Sequence, residues 1–241
     1  MKPPVIFIIL TSAALFLTAC DSSKKAATLP PQAAAIQKDI PLMPVKKGDT
    51  WVYTVHLEIP ADVTSPGAAA VDEKHSRTRT YLGKLSAAEG LPEVDCLEVV
   101  VPGSPVEREF VEIHEDRILM RGSMILRPET TRPMWLDHAV PFVFAGMKPG
   151  TESPEIQTAG GALSRKTQVV GREDVTVPAG TFPSIRLLMT GMDGELELRR
   201  TIWFAPGTGI VREEKARYRK GQLIFRETQA LEKTSIKGRK P

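Results

Sequence analysis

Apolar side chains at every second position, in run after run, constrain the fold of this chain more than any other feature. Trp51, Tyr53, Val55, Leu57 and Ile59 alternate with Thr54, His56 and Glu58. Successive side chains of an extended strand point to opposite faces, so this spacing suits a half-buried strand and not a helix. Comparable runs follow at 77–85, 92–101, 106–114, 117–126, 164–172, 174–177, 182–190, 196–204, 210–218 and 222–230. Gly, Pro or acidic residues bound them, as at Pro178-Ala179-Gly180, Ala205-Pro206-Gly207-Thr208-Gly209 and Lys220-Gly221. The chain has no Asn, so the usual Asn-Gly hairpin is excluded and the turns must rely on Gly, Pro and Asp. Many short strands with frequent turns predict a mainly β protein, a curved antiparallel sheet or open half-barrel. Residues 134–147 are apolar without a clean period. They are expected to form a short helix or a hydrophobic loop lying across the sheet. Residues 61–72 are expected to form a mobile loop.

Composition narrows the class. The net charge of +3 is too small to argue for nucleic acid, so no nucleic-acid partner is expected. The charge is uneven, however. Ten Lys or Arg face four acids between Arg212 and Pro241, either as a solvated strand face with a frayed tail or as attraction to anionic headgroups. There are two cysteines, Cys20 and Cys96. If Cys20 is modified, Cys96 has no partner within the chain, and its strand-like surroundings predict a buried, inert thiol.

The first twenty residues carry an address. Lys2 gives a short positive start, Val5 to Leu17 is almost unbroken apolar sequence, and small residues precede Cys20. The run is too short to span a bilayer, which needs about 20 apolar residues, and reads as a cleaved secretory signal helix. The ending Leu17-Thr18-Ala19-Cys20 resembles the lipobox of bacterial lipoproteins. That resemblance implies cleavage before Cys20 and acylation of it, palmitate included, so that the membrane is reached through an N-terminal lipid. Asp21 resembles an inner-membrane retention signal, which favours the periplasmic side of the inner membrane over the outer membrane. The implied domains are a signal peptide (1–19), an acylated Cys and flexible, disordered linker (20–45), a β-rich domain (46–232) and a basic disordered tail (233–241).

Residues able to carry chemistry are scattered. His56, His75, His114 and His138 show no zinc spacing, so no metal site and no cofactor is expected. No Gly-x-Ser-x-Gly elbow occurs, and Ser22-Ser23-Lys24-Lys25 lies in the linker, where nothing holds a nucleophile and base in register. No catalytic residue is assigned and the chain is read as non-enzymatic. An envelope hydrolase, using His138 with Asp137 or His114 with Glu112, is the competing reading. The aromatics Trp51, Tyr53, Trp135, Phe142, Phe144, Trp203 and Phe204 either fill the core or line a cavity for an acyl chain or apolar peptide. Met120, Met124, Met134 and Met147 fall near the same region and would either make such a cavity adaptable or merely plug gaps.

Two further segments carry a family resemblance. Val175-Thr176-Val177-Pro178-Ala179-Gly180-Thr181-Phe182 and Trp203-Phe204-Ala205-Pro206-Gly207-Thr208-Gly209-Ile210-Val211 resemble a group of uncharacterised bacterial periplasmic proteins and lipoproteins. Gly48-Asp49-Thr50-Trp51-Val52-Tyr53 is similar to the start of their domain, and 140–151 to its middle. The resemblance implies an antiparallel β half-barrel, somewhat like envelope lipoprotein carriers. Together these readings predict a membrane-anchored binding or assembly module of the cell envelope. Its expected partner is an apolar ligand or an envelope protein. A lipid carrier and a hydrolase are the alternatives.

Overall fold

In the computed structural model, the structure describes residues 41–63, 65–127, 133–153, 156–157 and 163–236. Cys20, Asp21, the signal peptide, the linker up to residue 40 and the last five residues lie outside the described residues.

Alternating apolar residues and glycine-rich turns give twelve strands among the described residues. They are β1 (Thr50–Ile59), β2 (Val71–Ser86), β3 (Glu93–Val100), β4 (Glu107–Ile113), β5 (Arg117–Ile125), β6 (Pro133–Phe144), β7 (Ile156–Gln157), β8 (Leu163–Val177), β9 (Gly180–Asp193), β10 (Leu196–Ala205), β11 (Gly209–Arg219) and β12 (Gln222–Thr234). All join one open antiparallel sheet in the order β6-β5-β4-β3-β2-β1-β12-β11-β10-β9-β8-β7. The expected fold class is therefore what forms. It consists of two six-strand meanders zipped together where β1 pairs with β12.

The sheet curls until its two arms touch. Phe142 on β6 meets Phe204 on β10 edge to face, with ring centroids 6.2 Å apart, although seven strands lie between β6 and β10 in the sheet order. The inner face carries the main core, with Trp51, Tyr53, Val55, Leu187, Ile202, Phe204, Val211 and Leu231 among its buried members. Trp51 Nε1 donates to the Thr208 carbonyl (2.7 Å) and the Tyr53 hydroxyl to that of Ile210 (2.9 Å), so both polar atoms of these buried rings are satisfied. Gly209 opens β11 with a φ of +104°, a backbone conformation that L side chains rarely adopt. Leu42 and Ile236 are also buried in this core, so packing starts before β1 and continues beyond β12.

A second cluster (Val94, Cys96, Phe110, Met124 and Ala87) lies on the opposite face of the β2–β6 arm. Trp135 packs there, its ring 5.8 Å from that of Phe110. Cys96 is fully buried and free, and burial pushes its thiol up to about 11, in line with an inert cysteine.

Two expectations need correction. Residues 134–147 form most of β6 and the turn after it, not a helix or a loop lying over the sheet. Register shifts between Ile118 and Leu119 and between Met120 and Gly122 disturb the β5–β6 pairing. Trp135 and Phe142, seven residues apart, face different clusters, so β6 is apolar on both faces, which hides the period of two. The four methionines do not share a cavity either. Met120 lies by the main core and Met124 in the second cluster, while Met134 is 60% exposed. Met147 packs at the seam described below.

Candidate binding groove

Aromatic packing leaves little space inside the curl. A cavity of about 50 Å³ remains between Trp51, Tyr53, Met120, Phe142, Phe204 and Arg79. That volume holds a few waters and no acyl chain. Arg79 Nε is buried there without a protein partner, which makes it a natural water site.

Beside this cavity the inner face turns polar, and the change was visible only as single residues in otherwise apolar strands. Arg77 on β2 donates to Glu227 (2.8 and 2.7 Å) and to Gln229 (2.8 Å) on β12. Gln229 Nε2 donates to Glu213 on β11 at 2.5 Å, and Arg200 on β10 donates to the same carboxylate at 2.5 Å. Lys215 lies 3.4 Å from Glu213 and 3.2 Å from Glu227. Burial alone would raise both carboxyls. Arg200 and Lys215 outweigh it and hold Glu213 well below the usual range. The hydrogen bonds from Arg77 and the charge of Lys215 hold Glu227 down to about 2. Apart from Arg77 Nε, which has no partner, these charges are paired, stitch the two meanders together and leave little for a ligand. Glu107 faces the same layer, and burial, then Glu109, raises its carboxyl.

Room for a ligand lies at the seam instead. The two edges of the sheet, β6 and β7–β8, are consecutive in sequence, and residues 145–153 run from one toward the other. On one side Ala145 N–H bonds the Asp116 carbonyl (2.6 Å). On the other, Gly150 N–H reaches the Val169 carbonyl (2.8 Å), Val169 N–H the Thr151 carbonyl (2.8 Å) and Ser153 N–H the Thr167 carbonyl (2.7 Å). Between these attachments is a groove of about 480 Å³ lined by Pro141, Phe142, Phe144, Met147 and Val169 with a rim of polar residues. Its size falls within the range of about 300–1,000 Å³ common for small-molecule sites, and its mainly apolar walls suit one.

The residues singled out for chemistry do not converge. His56 contacts Asp72 at 2.6 Å on the surface. His114 stands 3.6 Å from Glu112, beyond hydrogen-bond length, and Arg121 engages the same carboxylate at 3.3 Å. The pairing of His138 with Asp137 falls outside the described side chains. Among the described residues no group of three His, Cys, Asp or Glu could hold a metal ion. Of the seven aromatics, Trp51, Tyr53, Phe142, Trp203 and Phe204 pack in the main core. Trp135 belongs to the second cluster, and Trp203 donates to Glu173 (2.6 Å) beneath the Arg212 guanidinium. Phe142 also lines the groove, where Phe144 joins it. The basic residues after Arg212 divide among separate places. Lys215 joins the inner network, Arg217 covers Phe225, and Arg226 pairs with Glu58 and Glu214.

No family model matches the chain, and no curated protein matches it. Among solved structures it is similar to a candidate exported protein of Bacteroides fragilis with a YmcC-like fold. The identity is 15% over 81% of this chain and 99% of that one, with a TM-score of 0.42. It is also similar to a candidate lipoprotein of Parabacteroides distasonis, at 13% identity over 83% and 100% of the two chains, with a TM-score of 0.38. Neither likeness bears on a ligand or partner.

Proposed function

We propose that this chain is a lipoprotein of the bacterial cell envelope that works as a non-enzymatic binding module, holding an apolar ligand in the seam groove. The lipobox at Leu17–Cys20 supports the anchor, and Asp21 supports retention at the inner membrane. The groove of about 480 Å³ carries the binding role, because it is the larger apolar recess while the inner cavity is nearly filled. Ala145 is exposed on the groove wall, so Ala145→Trp obstructs the groove without entering the core. Solvent extraction of the purified wild-type protein is expected to release an apolar compound in amounts comparable with the protein, and extraction of Ala145→Trp far less. Equal yields from both, or none from either, would remove the groove from the reading. Membrane fractionation of Asp21→Ser tests the address. The variant is expected to leave the inner membrane, and an unchanged location would refute the sorting role.

A further inference from the structure

We infer that the chain's own segment Ile36–Ile40 seats in the seam groove and competes there with the ligand, so that the groove stays closed until the ligand displaces it. This rests on the groove being the binding site. The segment enters the described structure beside the groove. Leu42 N–H bonds the Glu115 carbonyl, and the carbonyl of the next residue, Asp116, takes the N–H of the groove-lining Ala145. Beyond Leu42 the chain leaves the seam. Met43 turns into the inner cavity, and Gly48 N–H reaches the Tyr81 carbonyl on β2, four strands from the β6 edge in the sheet order. Pro41 is exposed, so the residues before it start at the seam end of this path.

Reach and chemistry both fit. From Ala145 back to Pro141 the groove wall is four residues long, about 13 Å in extended chain, and Ile36 to Ile40 spans as much. Ile36 and Ile40 are the large aliphatic residues nearest the point of entry, and the residues before them, Ala33-Ala34-Ala35, are small and uncharged. Such side chains suit apolar walls, while Lys38 and Asp39 between the isoleucines suit the polar rim at Thr151, Glu152 and Ser153. Linkage within one chain presents the segment to the groove at a high effective concentration, which a free ligand must overcome. Seating Ile36–Ile40 also takes those residues out of the tether from Cys20. Ligand binding returns them and extends the reach of the domain from its anchor.

The test uses the mature chain from residue 20 with Cys20→Ser, freed of bound ligand on a delipidating resin. With Gln37 replaced by photoreactive benzoylphenylalanine, irradiation is expected to link position 37 within the same chain to residues 141–147. The apolar fluorescent probe N-phenylnaphthylamine is expected to suppress that link. Ile36→Asp together with Ile40→Asp is expected to bind the probe about tenfold tighter than the unsubstituted chain, because a groove closed in nine molecules of ten weakens apparent affinity tenfold. Adding Ala145→Trp to that pair is expected to remove the probe, which locates it in the groove. Links elsewhere, links between two chains, no links, or equal probe affinity with and without the aspartates would overturn the place of the segment, while probe binding that Ala145→Trp removes keeps the apolar groove. If the links fall in the groove but the probe binds neither chain, the segment is a fixed part of the fold and the ligand reading fails instead.

Discussion

Glu213 shows how much one carboxylate can hold. Its side chain is 1% exposed, yet it joins Arg200 on β10, Lys215 on β11 and Gln229 on β12, and through Gln229 it reaches Arg77 on β2. Glu213→Ala takes the acceptor from Arg200 and from Gln229 Nε2, while Lys215 keeps Glu227, and is expected to cost about 3–5 kcal/mol, read by urea denaturation. Acid should act at the same place. Glu213 and Glu227 have lower pKa values folded than unfolded, so the folded state binds fewer protons. Their stabilisation is complete above the ordinary 4.5 and is lost as pH falls toward about 2. Glu107, raised in the folded state, works in the opposite direction. The denaturation midpoint of the wild type is expected to fall steeply between those pH values and that of Glu213→Ala less so. Parallel profiles would show that the network does not govern acid stability. Gly122 gives a second test. A Cβ there would run into the Met134 carbonyl on the adjoining strand. Gly122→Ala is therefore expected to lower stability by roughly 1–3 kcal/mol. Thermal melting checks this, and an unchanged midpoint would contradict the close β5–β6 approach.

At the scale of elements, the segment before β1 acts as a strap. Leu42 N–H bonds the Glu115 carbonyl (3.2 Å) in the β4–β5 turn, and the Leu42 carbonyl takes Gly207 N–H (2.9 Å) in the β10–β11 turn. These turns belong to opposite arms of the sheet, and no strand pairing links them there. Leu42, 1% exposed, plugs the end of the curl between them. Leu42→Ala is expected to cost about 2–5 kcal/mol and to raise binding of a hydrophobic dye to the folded protein. Loss of stability without extra dye binding would mean that the arms stay closed without the strap. Nothing in the local sequence revealed the strap, because Leu42 lies among prolines with no period and gains its partners from residues more than seventy positions away. The strands were more legible. β1 and β10–β12 fall where alternation and glycine turns place them, and β1 shows why, with Trp51, Tyr53 and Val55 buried and Thr54 between them exposed. β6 was not legible, because two apolar faces erase the alternation. The groove was illegible for a related reason: Phe144, Met147 and Val169 become neighbours only when the curl brings β6 to β8.

The whole molecule is a sheet that nearly closes on itself. The β1–β12 pairing joins the meanders at the middle, the charge network and aromatic core fill the curl, and the strap caps one end. The seam is the place where closure is incomplete, and the residues meeting there are mainly apolar. A β sheet without edges would have no such recess. Lipid anchoring at Cys20 would keep this recess within a tether's reach of the membrane, where acyl chains are abundant. The decisive measurement is native mass spectrometry of the intact lipidated chain released gently from its membrane. The wild type is expected to show acylation at Cys20 together with one small-molecule ligand per chain, and Ala145→Trp to show the same acylation with no ligand. A wild-type chain that is acylated but carries no ligand under several release conditions would contradict the binding role.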